Sequence, residues 1–132
     1  MNLESNTWFI NQIPALSIAE TYGTPLYVYD GDKIISQYQR LKKAFTGIEF
    51  KIKYACKANN NINILKLLNA EGCGLDTVSI QEVYLGIKAG YAVNNILYTP
   101  NCVSIEEIKE AAALGVRINI DNISILEQFG HL

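Results

Sequence analysis

The feature that most constrains the fold is an alternation of strand and helix patterns that starts near residue 51 and recurs every twenty-odd residues. Residues 51–59 read as a strand. A helix follows with Ile64, Leu65, Leu67 and Leu68, closed by Glu71-Gly72. Residues 74–79 read as a second strand. Its helix carries Ile80, Val83, Tyr84 and Ile87, the i, i+3, i+4, i+7 spacing of one buried face. Residues 95–101 are a third strand, followed by a helix with Ile105, Ile108, Ala111 and Ala112 that stops at Gly115. Residues 116–121 are a fourth, and residues 123–129 start a fourth helix. Two of these helices open on Ser-x-x-Glu, Ser79 to Glu82 and Ser104 to Glu107, the form of a capping box. Repeated strand–helix units imply an α/β fold: a parallel sheet with helices packed on it.

The chain before residue 51 is different. Residues 1–24 are a lead-in containing Pro14 and ending in the breaker Gly23-Thr24-Pro25. Leu26, Tyr27, Val28 and Tyr29 read as a short strand, and Asp30-Gly31-Asp32 as a turn with helix-capping side chains. Ile34, Ile35, Tyr38, Leu41 and Phe45 give residues 33–45 a helical period. The expected organisation is therefore a lead-in over residues 1–32 and a strand–helix domain over 33–132. Four units are half of an eight-unit barrel, which needs about 250 residues. An open doubly wound sheet of four or five strands fits the length equally, and periodicity leaves both open. The sequence stops just after a helix pattern, which reads as a fragment.

Composition removes several function classes. With 132 residues, 49% hydrophobic and 18% charged, the chain reads as a soluble globular domain with a real core. A net charge of −2 gives no electrostatic case for nucleic acid or an anionic membrane. No apolar run approaches the roughly 20 residues of a membrane span. The residues after Met1 lack a signal-peptide pattern. Cys56, Cys73 and Cys102 form no Cys-x-x-Cys pair and suggest no metal site; they read as free thiols in a reducing compartment, the cytoplasm.

Lys57 is the candidate for chemistry. Strand alternation over residues 51–59 would put Lys51, Lys53, Ala55 and Lys57 on one face, and Ile52, Tyr54, Cys56 and Ala58 on the other. Lys57 then falls at the carboxyl end of the strand, where α/β folds place their active groups. Burial there would lower the lysine pKa from about 10.4 and free the neutral amine for attack on a carbonyl. The bland alternative, a solvated lysine at a strand end, fits the pattern alone better. Lys53, on the same face, would need a carboxylate partner. Tyr54 and Cys56 read as packing residues, and Asn119 and Asp121 as residues near the mouth. His131, the single histidine, is given no role.

Tyr54-Ala55-Cys56-Lys57-Ala58-Asn59, with Ile64-Leu65, Leu68 and Gly72 beyond it, resembles the pyridoxal-phosphate attachment site of the fold-type III amino-acid decarboxylases. That family includes the diaminopimelate, ornithine and arginine branches, and Lys-Ala-Asn is most similar to the diaminopimelate branch. Gly74-Leu75-Asp76-Thr77-Val78-Ser79 with Glu82, Ile87-Lys88-Ala89-Gly90, and Thr24-Pro25-Leu26-Tyr27-Val28-Tyr29 extend the resemblance over residues 22–130. The resemblance implies the first half of an alanine-racemase-like (β/α)8 barrel, with residues 26–29 as a strand of the family's β-domain. It implies pyridoxal phosphate held covalently by Lys57, Asp76 close to lysine and cofactor, and removal of carbon dioxide from meso-diaminopimelate to leave L-lysine. Asp76 also reads as an ordinary strand-end aspartate that caps the next helix, and the capping box suffices to explain Glu82. A homodimer is implied too, because the family supplies a cysteine and an aspartate across an interface.

The sequence departs from the family at Ile80-Gln81, where relatives usually have two glycines. The family's phosphate loop, ring-stacking histidine and ring-nitrogen glutamate come from later strands, so this fragment is expected to be inactive alone. Two other readings stand beside this one. One is another basic-amino-acid or polyamine-pathway decarboxylase of the same fold. The other is a non-catalytic binding module on that scaffold, as antizyme inhibitors resemble ornithine decarboxylase.

Overall fold

In the computed structural model, which describes residues 1–131, the chain forms two units, Met1–Ala44 and the segment from Phe45 onward. Leu132, the last residue of the expected barrel segment, lies outside the described residues.

The first unit opens with a structure the sequence reading did not anticipate. Strands β1 (Asn2–Glu4), β2 (Thr7–Ile10) and β3 (Ile13–Pro14) form an antiparallel meander, with Leu3 opposite Trp8 and Phe9 opposite Pro14. Both connections are two-residue turns, Ser5-Asn6 and Asn11-Gln12, with positive φ at all four residues. That geometry matches the twist of paired strands. Helix α1 (Ala15–Tyr22) follows and ends at Gly23, whose φ of 81° suits glycine. Helix α2 (Gly31–Ala44) starts where the Asp30 carboxylate accepts from the Lys33 amide at 3.0 Å. Residues 26–29, expected as a strand, are hydrogen-bonded into neither sheet, and all four are exposed. Extended backbone becomes a strand only against a partner, and no described residue pairs with this segment.

The second unit carries the alternation. Strand β4 (Lys53–Ala55) leads through a one-turn 3-10 helix, Cys56–Ala58, to α3 (Ile62–Ala70). Then come β5 (Gly74–Thr77), α4 (Ile80–Lys88), β6 (Ile96–Tyr98), α5 (Ile105–Ala113), β7 (Arg117–Ile118) and α6 (Ile123–Gly130). The sheet is parallel in the order β4-β5-β6-β7, with Ala55 opposite Asp76 and Asp76 opposite Leu97. Each strand is laid beside its predecessor, without the reversal of a doubly wound sheet. This is the winding of a barrel, and it resolves the alternative left open by the sequence.

One face of this sheet is sealed by helices. Leu75, Thr77, Ile96 and Tyr98 are fully buried on it, with Leu65 of α3, Val83 of α4, and Ile108 and Ala111 of α5. Gly86, with Ile80 and Val83, is buried on α4 in place of Tyr84: a Cβ at Gly86 would lie 2.5 Å from Leu75 Cδ2. Tyr84, expected on the buried face, is exposed and donates its hydroxyl to Glu110. The four strands are shorter than their sequence patterns, because only the residues in register keep strand geometry.

Candidate active site

The lysine is not on the strand. Strand geometry ends at Ala55, and the 3-10 turn Cys56–Ala58 carries Lys57 just past the carboxyl edge of the sheet. Strand conformation does not run through residue 57 as expected, but the two side chains still part: Cys56 is fully buried with the core, whereas Lys57 is exposed. The burial expected around its amine is not provided by this chain, and no described residue engages that amine in a hydrogen bond or ion pair.

The turn itself is well braced. The Asn59 amide donates to the Cys56 carbonyl at 3.1 Å, and the Tyr54 hydroxyl donates to the Asn59 carbonyl at 3.0 Å. The Asn59 side chain accepts from the Asn61 amide, and the Asn61 side chain caps α3 by accepting from the Asn63 amide. The Asn-Asn-Asn run is thus an Asx turn followed by an N-cap. Tyr54 packs against the helix-covered core, as expected for the face opposite Lys53. Burial, and then the nearby Glu82 charge, push the Cys56 thiol up to about 11, which keeps it protonated and inert at neutral pH.

Asp76 stands at the same edge, one strand over. Its register partner is Ala55, two positions before Lys57. The Thr99 hydroxyl donates to Asp76 Oδ1 at 2.8 Å, and the Thr99 amide and hydroxyl also reach the Thr77 carbonyl, at 2.8 and 3.3 Å. The carboxylate is held by Thr99, just past β6, and the helix that follows its own strand is capped by Ser79, so the helix-capping alternative does not hold. Thr99 escaped the sequence reading. Its one available signal was its place at the carboxyl end of the third strand.

Lys53 lies deeper on the uncovered face of the sheet. It has no room problem because Gly74 is its register partner, and its Nζ crosses that glycine to donate to the Asn95 carbonyl at 2.9 Å. The expected carboxylate is replaced by a backbone oxygen. Partial burial, then the Arg117 and Lys51 charges, lower its pKa from the ordinary 10.5, while Asp76 pulls it back.

The two capping boxes differ. At α4 the Ser79 hydroxyl accepts from the Glu82 amide and the Glu82 carboxylate accepts from the Val78 amide at 2.8 Å. At α5 the Ser104 hydroxyl accepts from the Glu107 amide, but the Glu107 carboxylate turns away. It accepts from the Ile80 amide at the start of α4 and from the buried Tyr98 hydroxyl. Burial and this bond raise the Tyr98 pKa well above its ordinary value. Asn119 donates its amide to the Tyr98 carbonyl, and Asp121 is exposed beyond β7.

Residues 31–132 match the family model described as pyridoxal-dependent decarboxylase, pyridoxal binding domain. The chain belongs to the pyridoxal-dependent decarboxylases. The part of that family represented is its pyridoxal binding domain, and the match begins at the first residue of α2. Among decarboxylase relatives, diaminopimelate decarboxylase of Methanothermobacter thermautotrophicus is 46% identical over 114 residues, 85% of this chain and 27% of the relative. That of Methanocaldococcus jannaschii is 37% identical over 133 residues, 96% of this chain and 30% of the relative. A crystal structure of the M. jannaschii enzyme in complex with L-lysine superposes with a TM-score of 0.87 at 34% identity, covering 98% of this chain and 33% of that one. The lysine/ornithine decarboxylase of Vibrio vulnificus complexed with putrescine gives a TM-score of 0.80 at 29% identity, covering 88% of this chain and 32% of that one. The chain thus spans about a quarter to a third of the decarboxylases it matches.

Proposed function

We propose that this chain is the lysine-bearing part of an enzyme that removes carbon dioxide from meso-diaminopimelate to give L-lysine. The observation that carries this reading is the position of Lys57: an exposed amine at the carboxyl edge of a parallel, barrel-wound sheet, inside the match to a pyridoxal binding domain. The similarity to diaminopimelate decarboxylases at up to 46% identity favours that substrate.

The donor set suits pyridoxal phosphate. A primary amine with no partner among the described residues is available to the cofactor's aldehyde, and Lys57 would hold the cofactor through that amine. Bound there, the cofactor supplies the electron sink for the pair left when carbon dioxide departs. Asp76, fixed by Thr99, places a carboxylate at the same edge, where it favours the protonated form of any amine brought near it. Lys57 would also be the group of this chain to return a proton at the reacting carbon, acting there as a general acid.

The remaining contacts to phosphate, ring and substrate belong to other parts of a longer protein. In that protein residues 1–32 would form part of a β-domain and residues 33–132 half of the barrel. The start of the family match at residue 31 supports this division. A cytoplasmic homodimer fits the free cysteines and the family resemblance. A second reading keeps the mechanism and changes the substrate to another basic amino acid, which the Vibrio neighbour favours.

The test is product analysis with the full-length protein and pyridoxal phosphate, offered meso-diaminopimelate, ornithine and lysine separately. L-lysine formed from meso-diaminopimelate at the highest kcat/KM supports the proposal. Preference for ornithine or lysine selects the second reading. Turnover of none, by folded and cofactor-loaded protein, supports a binding module instead.

A further inference from the structure

We propose that Tyr54 is a positioning residue for Lys57, its hydroxyl clamping the turn that presents the lysine amine. This rests on the reading of Lys57 as the cofactor lysine.

Lys57 gains little from regular structure. It sits in a single 3-10 turn, a geometry with poor hydrogen bonds that rarely persists without support, and its own side chain is exposed. The turn is anchored at its start by fully buried Cys56. What fixes its far side is the Asn59 backbone. That residue donates to the Cys56 carbonyl and accepts the Tyr54 hydroxyl at 3.0 Å. Tyr54 is in register with buried Leu75 on β5 and packs on the helix-covered core, so the hydroxyl is carried by a rigid body. Residues 54 and 59 lie on either side of Lys57 in sequence, and their hydrogen bond closes a loop around it. Asn59 then passes the constraint to α3 through its bond with the Asn61 amide. Without the phenol oxygen the Asn59 carbonyl is free to turn to water and the loop is open on one side. The amine would then sample more positions, and fewer of them would suit attack on an aldehyde.

Tyr91 provides an internal control. Its hydroxyl donates to the Leu65 carbonyl, also at 3.0 Å, in the buried core of the same unit. Tyr54→Phe removes the bond to the Asn59 carbonyl beside the lysine turn, and Tyr91→Phe removes the bond to the Leu65 carbonyl inside α3.

The experiment mixes full-length apoprotein with pyridoxal phosphate and follows covalent attachment by absorbance. The step is condensation of Lys57 Nζ with the aldehyde, forming a C=N bond and releasing one water. Amide hydrogen exchange over residues 56–61 is measured in parallel, without cofactor. In Tyr54→Phe attachment is expected to slow by about fivefold, the scale of one net hydrogen bond, with faster exchange in the turn. Tyr91→Phe is expected to match the wild type in both readouts. Attachment at the wild-type rate in Tyr54→Phe, equal slowing in both variants, or failure of Tyr54→Phe to fold would each overturn the proposal. Lys57→Ala separates the underlying reading: undiminished attachment in that variant removes Lys57 itself, whatever Tyr54 does.

Discussion

At Gly74 an added Cβ would lie 3.0 Å from the Asn95 carbonyl oxygen, 3.0 Å from Lys53 Cγ and 3.2 Å from Lys53 Nζ. The lysine stem could move, but the backbone oxygen could not easily. Gly74→Ala is therefore expected to displace Lys53 from Asn95 and to cost about 1–3 kcal/mol in urea unfolding. Cys56 gives a pH signature. Its thiol titrates at about 11 when folded and near its ordinary 9.0 when unfolded. Between those values the folded chain holds a proton that the unfolded chain has lost, so this group's contribution to stability falls as pH rises from 9.0 to about 11. The urea midpoint of Cys56→Ala should decline less than that of the wild type over that window; parallel curves would argue against the buried thiol. How far these residues could be read in advance varied with the range of the forces on them. The place of Lys57 at the carboxyl edge of the sheet was legible from its neighbours in sequence. Its exposure, the Asp76–Thr99 bond and the reach of Lys53 over Gly74 were not, because each depends on which strand lies alongside.

Among the elements, the alternation of β4 to α6 was legible because apolar spacing switches between two periods and glycines end three of the helix patterns. Strand lengths were overread, since extended residues past the register look the same in sequence. The meander β1–β3 was missed for a related reason: Ser5-Asn6 and Asn11-Gln12 adopt positive φ without the glycine that usually announces such turns. Glu107 shows the limit of local motifs. Its spacing from Ser104 fits a reciprocal cap, yet its carboxylate serves Ile80 of the neighbouring helix and Tyr98. Glu107→Ala is thus expected to orphan a backbone donor and a buried hydroxyl, costing roughly 2–4 kcal/mol. Ser104→Ala, which removes only the local cap, should cost about 1 kcal/mol. Equal losses by chemical denaturation would place Glu107 back in a local box.

For the whole molecule, the decisive feature is winding. Four parallel strands lie in sequence order with helices on one face, and among the described residues β4 and β7 each pair on one side only. With the chain spanning about a quarter to a third of its decarboxylase relatives, the 132 residues alone are expected to release no measurable lysine from meso-diaminopimelate. Lysine production at a useful rate by the isolated chain would contradict that. The proposed chemistry centres on one atom, the Nζ of Lys57. Its most direct test is borohydride reduction of the full-length, cofactor-loaded protein, followed by proteolysis and peptide mass mapping. The expected result is a phosphopyridoxyl mass on the peptide containing Lys57 and on no other. A reduced adduct on a different lysine, with the Lys57 peptide unmodified, would contradict it.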